Sequence, residues 1–174
     1  KGYHLPLEWL KEWKDTSLLY CGSVETSHKY YDRKLRETVR EWKLRDRVFF
    51  SENDIADEDA DIWFGAADLK VYPHSQFAEC SVIDAMGRGK CVVTPDKEGF
   101  RELSKEGGVV PTNDMKGTVR KLLENSELRR TYEQKSLAYR EKYNWYNYFK
   151  NLVRHLGLAH KKPPKVAVCV PVRN

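Results

Sequence analysis

Five short apolar runs recur along this chain, each bounded by turn residues or polar loops. They are Ser17-Leu18-Leu19-Tyr20-Cys21 before Gly22, Arg47-Val48-Phe49-Phe50, Leu69-Lys70-Val71-Tyr72 before Pro73, Cys91-Val92-Val93-Thr94 before Pro95, and Gly107-Gly108-Val109-Val110. Runs this short and this apolar read as buried strands. The stretches between them carry helical spacing instead. Leu5, Trp9, Leu10 and Trp13 share one face, with Pro6 suited to a first turn. Tyr31, Leu35, Val39 and Trp42 form a stripe between His28 and Leu44, with Arg, Lys and Glu opposite. Shorter helices are predicted over 61–67, 80–88 and around 100–103. Longer ones are predicted over 115–124, where Asn113 or Asp114 offers a cap, then 127–143 and 145–158. Strands alternating with helices predict a parallel sheet with helices on both faces. Such sheets bind ligands in the crevice beyond the carboxyl ends of their strands. The loops after Cys21, Phe50, Tyr72, Thr94 and Val110 are therefore the places to look.

Composition narrows the class. At 174 residues, 40% hydrophobic and 12% aromatic, the chain has enough apolar surface for one ordinary core. No apolar run approaches the roughly 20 residues that span a bilayer. The start, Lys1-Gly2-Tyr3-His4, lacks Met and the shape of a signal peptide, so the chain is expected to be a piece of something larger. Cys21, Cys80, Cys91 and Cys169 have no metal-ligand spacing and read as buried free thiols of a reducing compartment, which points to the cytosol. The net charge of +5 is unevenly placed, with an acidic stretch over 52–61 and basic segments over 29–47 and 116–165. That balance fits a phosphate-bearing ligand or an anionic membrane surface. Nucleic acid is not expected, because no base-reading motif or stacking platform is visible. The acidic stretch lacks the Gly and Glu positions of a calcium loop and reads as solvated loop.

The richest segment runs from Ala67 to Pro95. Strand, polar loop, helix, a Gly87-Arg88-Gly89 turn and a buried strand follow in order. The loop at 74–79 opens a helix at a strand's carboxyl end. A helix N-terminus presents unpaired N–H groups and a positive dipole end, worth about 0.3–1 kcal/mol per anionic contact. It can hold a diphosphate without a Gly-rich loop. Asp84 lies further along that helix, where a carboxylate can accept hydrogen bonds from sugar hydroxyls.

At these residues the chain resembles glycosyltransferase family 4, retaining enzymes of GT-B architecture. The matching residues are Ala67-Asp68, Pro73, Asp84-Ala85-Met86, Gly89 and Val92-Val93. Gly99 with Glu102 and Gly107-Gly108-Val109-Val110-Pro111 look like later elements of the family pattern, and Lys1-Gly2 looks like the Lys-Gly that follows its first donor-domain strand. The similarity covers roughly residues 1–150.

The resemblance implies an α/β, Rossmann-like domain, the C-terminal half of a GT-B enzyme, over residues 1–159. Its ligand would be a nucleotide-sugar, its acceptor a glycan or lipid-linked sugar, and its partner an N-terminal domain of the same polypeptide. No metal or other cofactor is expected. The resemblance gives Asp84 the ribose and Lys1 the phosphates. Gly22, Ser75, Phe77, Ala78, Cys80 and Ser81 complete the donor-binding set. The carboxylate that contacts the transferred sugar falls on Gln76, a neutral residue, or on Glu79 after a local deletion. Because of Gln76, a non-catalytic binding or assembly module of the same fold is a rival reading. A GT-B sugar-nucleotide epimerase is another.

Other features carry plainer readings. Ser75 and Ser81 are helix-cap candidates, and His74 suits a backbone partner. Trp9, Trp13, Trp42, Trp63 and Trp145 are expected mostly in the core. Tyr139, Tyr143, Trp145, Tyr146, Tyr148 and Phe149, mixed with Arg140, Lys142, Lys150 and Arg154, suit packing on the partner domain or a peripheral place at the membrane. Residues 160–174 read as a proline-marked linker and a strand. The strand's Val166-Ala167-Val168-Cys169-Val170-Pro171-Val172-Arg173-Asn174 is similar to the opening of family 2 glycosyltransferases, which implies a following GT-A domain.

Overall fold

The computed structural model describes residues 2–22, 28–51, 55–74 and 80–156. It divides into two compact units, Lys1–Arg140 and Glu141–Asn174. The boundary expected at 159–160 and the linker and strand beyond it lie outside the described residues.

The first unit alternates helices and strands in the order α1 (His4–Trp9), β1 (Leu18–Tyr20), α2 (Lys29–Glu41), β2 (Val48–Phe50), α3 (Asp57–Ala66), β3 (Lys70–Val71), α4 (Cys80–Gly87), β4 (Val92–Pro95), α5 (Glu98–Glu106), β5 (Val109–Thr112), α6 (Met115–Glu124) and α7 (Ser126–Lys142), the last of which ends at the junction. Among the described residues all three strand pairings are parallel, as the alternation requires. They fall into two sheets, β1-β2 and β3-β4-β5. Leu18 pairs with Val48 in the first, and Val92 lies between Lys70 and Val109 in the second.

β4 shows why helices flank both faces. Successive residues of a strand point to opposite sides. Val92 packs with Tyr72, Val82, Met86, Phe100 and Val109, under α4 and α5. Its neighbours Cys91 and Val93 pack with Trp9, Trp13, Val119 and Leu122, under α1 and α6. Cys91, Val92 and Val93 are fully buried. The smaller sheet packs Leu18, Tyr20, Val48 and Phe50 with Leu7, Leu10, Leu35 and Val39. Arg47, just before β2, donates to the carbonyls of Leu10, Trp13 and Thr16 and so ties the end of α1 to this sheet.

Some helix ends follow local chemistry. Asp114 caps α6 by accepting from Gly117 N–H at 2.9 Å, which settles the choice between Asn113 and Asp114. α2 is closed off beyond Glu41 by Lys43, whose φ of 55° lets Leu44 N–H return to the Val39 carbonyl at 2.9 Å. α3 begins four residues before the predicted 61, inside the acidic stretch expected to be solvated loop. Glu58 and Asp59 stand in its first turn, where carboxylates suit the dipole. Trp9 and Trp13 are core residues, whereas Trp145 is 75% exposed, a correction to the expectation from its spacing. Cys91 is buried, but Cys21 and Cys80 are exposed, another departure from the sequence reading.

The second unit contains α8 (Trp145–His155), capped by Asn144, which accepts from Asn147 N–H at 2.8 Å. Trp145, Tyr148 and Phe149 form a cluster of rings with centroids 5.6–5.9 Å apart. Trp145, Tyr146, Tyr148, Phe149 and Leu156 are exposed, and Lys150 and Arg154 lie beside them.

Gly107 and Gly108 are packing glycines. A Cβ at Gly107 would meet the Met86 side chain, and one at Gly108 would collide with Ser136 Oγ and the Tyr132 carbonyl of α7. Gly108→Ala is expected to cost about 1–3 kcal/mol or more in urea denaturation. Gly65→Ala, with open space around it in α3, is expected to gain about 0.5–1 kcal/mol. Burial, with Glu133 adding to it, pushes the Cys91 thiol up to about 12. Native protein treated with a thiol reagent at pH 8 and mapped by mass spectrometry should therefore carry label on Cys80 and none on Cys91. Fast labelling of Cys91 in folded protein contradicts the two-sided burial of β4.

Candidate functional site

The carboxyl ends of β1 and β2 are laced together. Ser51 N–H donates to the Tyr20 carbonyl at 2.9 Å, and Gly22 N–H donates to Ser51 Oγ at 2.9 Å. Gly22, a predicted donor contact, thus sits just past the carboxyl end of β1 with open space where a Cβ would stand.

The N-terminal segment lies across the ends of both sheets. Tyr20 Oη at the end of β1 donates to the Tyr3 carbonyl at 2.6 Å. His4 N–H donates to Tyr31 Oη of α2 at 3.0 Å, and His4 Nδ1 lies 3.0 Å from the same oxygen. Gly2 adopts φ +78° and lies so close to Pro73 that a Cβ would stand 3.1 Å from the Pro73 carbonyl oxygen. Only glycine takes that backbone at low cost. Gly2 and Pro73 are far apart in sequence, yet they meet at the end of β3. Sequence reading paired neither Tyr20 nor Tyr31 with this segment, because aromatic hydroxyls carry no local pattern that names a distant carbonyl.

β3 runs into Tyr72-Pro73-His74, whose first residue is buried. Tyr72 and His74 rings lie 6.0 Å apart. Ser75, Gln76, Phe77, Ala78 and Glu79 lie outside the described residues, as does Lys1.

α4 opens with Cys80, exposed, and Ser81, part-exposed. Lys70 of β3 donates to the Ser81 carbonyl at 2.7 Å and fixes this first turn over the sheet. Val82, Ala85 and Met86 face the core, which leaves Asp84 on the outer face with 49% of its side chain exposed. The carboxylate is engaged by Arg88, the residue after α4. The same guanidinium donates through Nε to Asp61 of α3 at 2.7 Å and lies 5.2 Å from the centre of the Phe64 ring. Partial burial works against the Arg88 charge, but the hydrogen bonds to Asp61 and Asp84 outweigh it and its pKa is raised. Phe64 also lies 5.5 Å from Lys70 Nζ, so one ring carries two cations. Sequence reading missed Asp61, Phe64 and Arg88. The i, i+4 spacing of Asp84 and Arg88 was the available signal.

At the end of β4, Thr94 is fully buried, and its hydroxyl has no hydrogen bond among the described residues. Asp96, two residues on, is bound by Arg101 at 2.5 and 2.7 Å and by Asn113 at 3.4 Å. The Arg101 hydrogen bonds hold its carboxyl below the usual range. Asp68 of the Ala67-Asp68 match faces away from this chemistry. It pairs at 2.9 Å with Arg129, which also caps the Leu122 carbonyl at 3.0 Å, and so has a packing role. Among the described residues, no group of three or more His, Cys, Asp and Glu is placed to hold a metal ion. No described helix is long and apolar enough to cross a membrane.

Chemically, the arrangement presents an exposed carboxylate, a helix that opens after the carboxyl end of β3 and a backbone segment lying across two sheet ends. These are groups that can accept from hydroxyls and donate to an anion.

The fold is shared with solved glycosyltransferase structures. The chain is similar to HepE of Anabaena, solved in complex with UDP, at 18% identity, TM-score 0.71 and coverage of 90% of this chain and 45% of that one. It is similar to sucrose-phosphate synthase of Thermosynechococcus elongatus at 22% identity and TM-score 0.71, covering 91% and 43%. It is also similar to the C-terminal domain of a glycosyl transferase group 1 family protein, LpcC of Francisella tularensis, at 17% identity and TM-score 0.61, covering 75% and 71%. The chain thus spans less than half the length of the first two structures. No curated protein sequence matches the chain. The family model described as glycosyl transferases group 1 matches residues 1–138, and the chain belongs to that family.

Proposed function

We propose that this chain is the donor-binding half of a retaining glycosyltransferase that moves a sugar from a nucleotide-sugar to an acceptor glycan or lipid-linked sugar. The observation that carries this reading is the contact of Gly2 with Pro73. It brings together, at the carboxyl end of β3, two elements that resemble the donor site but stand far apart in sequence. The residue after Lys1 meets the residue that opens the 74–79 loop. UDP in the HepE structure supports a nucleotide at this kind of fold.

In the proposed mechanism, cleavage of the sugar–phosphate bond places negative charge on the departing diphosphate. Lys1 and the N–H groups opening α4 at Cys80 and Ser81, with Ser75, Phe77 and Ala78 before them, stabilise that charge electrostatically, with no metal. Asp84 accepts from the ribose hydroxyls. Glu79 or Gln76 contacts the transferred sugar, and Gly22 borders the nucleotide. The exposed ring cluster of α8 is the face on which an N-terminal domain of the same polypeptide would pack. A reducing, cytosolic setting suits the free thiols of Cys21, Cys80 and Cys91.

Thermal-shift titration of the 174-residue chain with UDP, GDP, ADP and their sugars tests the reading. At least one nucleotide is expected to raise the midpoint at millimolar concentration and to slow labelling of Cys80. No stabilisation by any of them sinks the donor-binding reading. Asp84→Ala is expected to weaken the bound nucleotide about tenfold or more, the cost of a hydrogen bond to a charged group. Unchanged binding removes the ribose role. Sugar-nucleotide affinity in Glu79→Ala set against Gln76→Ala identifies which of the two meets the sugar.

A further inference from the structure

The carboxylate assigned to the ribose is an aspartate, one methylene shorter than a glutamate, and half of its side chain faces solvent. A short, exposed carboxylate on a helix surface samples several rotamers and loses that freedom on binding. The structure shows what limits it here. Arg88 grips Asp84 Oδ1, and Asp84 Oδ2 has no hydrogen bond among the described residues. A guanidinium facing a carboxylate alone tends to take both oxygens with its fork. Arg88 does not, because its Nε is committed to Asp61 on the neighbouring helix at 2.7 Å. The guanidinium plane rests over Phe64, and the Arg88 side chain is only 21% exposed. Phe64 and Asp61 thus fix the arginine, and the arginine fixes one oxygen of Asp84 while leaving the other open.

We infer that Arg88 is the positioning residue for the ribose carboxylate, presenting Asp84 Oδ2 to the sugar hydroxyls of a nucleoside diphosphate. The inference rests on the ribose role proposed for Asp84. Arg88 touches no ligand itself. Its contribution is orientation, so it appears in the discrimination between ribose and a sugar lacking the hydroxyls, and not in phosphate or base affinity.

The test is calorimetric titration of the intact chain with UDP, GDP and ADP, each against its 2′,3′-dideoxy counterpart. The wild-type chain is expected to prefer the ribonucleotide by about ten- to a hundredfold for at least one base. Arg88→Ala is expected to bring that ratio to within about twofold of unity while binding of the dideoxy compound stays unchanged. Arg88→Lys keeps a charge near Phe64 but lacks the planar fork, and is expected to lose most of the preference as well. Thermal midpoints identify the folded variants, and Arg88→Lys carries the test where Arg88→Ala does not fold. A wild-type chain that binds both members of every pair equally, or binds none, overturns the ribose reading and this inference with it. A wild-type preference that persists in a folded Arg88 variant overturns the inference alone.

Discussion

Burial of β4 on both faces is the constraint on which the larger sheet depends. Its residues Val92, Val93 and Thr94 and the preceding Cys91 are removed from solvent by helices on opposite sides. Each fully buried aliphatic side chain contributes about 1.5–3 kcal/mol relative to exposure. The strand therefore has no polar face to give to water, and its neighbours must supply closely packed surfaces on either side. Gly107 and Gly108 allow the backbone entering β5 to approach Met86 and α7. Ser136 of α7, itself buried, donates to the Lys90 carbonyl at 2.8 Å just before β4 begins. With β4 held this way, the carboxyl ends of β3 and β4 and the start of α4 are fixed together, and the candidate site inherits that geometry.

Much of this was legible in the amino-acid sequence because local chemistry encodes it. Short apolar runs bounded by Gly and Pro mark the strands, and the stripe through Leu35 and Val39 marks α2. Asp114 announces the start of α6 through its own side chain. The division into two sheets was not legible, since strand order is decided by packing between distant segments. α3 was placed late because acidic residues carry no apolar period, although they suit a helix N-terminus. Trp145 shows the limit of helical spacing as evidence of burial: periodicity identifies a face, not what covers it.

For the candidate site, sequence pattern found Gly2, Pro73 and Asp84, which sit on or beside the strand–loop–helix at β3 and α4. It did not find the groups that hold them. Tyr20 and Tyr31 secure the N-terminal segment through hydroxyls that reach a main-chain carbonyl and an N–H from separate elements. Asp61 and Phe64 reach Arg88 from another helix. Such contacts are long-range pairings of common residue types, and nothing in the local sequence distinguishes them from solvated surface charge.

The packing of α1 carries a consequence for synthesis of the chain. Trp9 and Trp13 are covered by Val119 and Leu122, and Asp15 and Glu12 pair with Arg120 and Lys116 of the same late helix at 2.9 and 2.6 Å. Trp9 and Trp13 must wait for α6 to be made before their indole rings are shielded. Nearly the whole first unit is therefore made before its opening segment can close. Contacts of such long sequence separation slow folding and leave apolar surface open in the interval. During that interval Trp9 and Trp13 are accessible to chaperones.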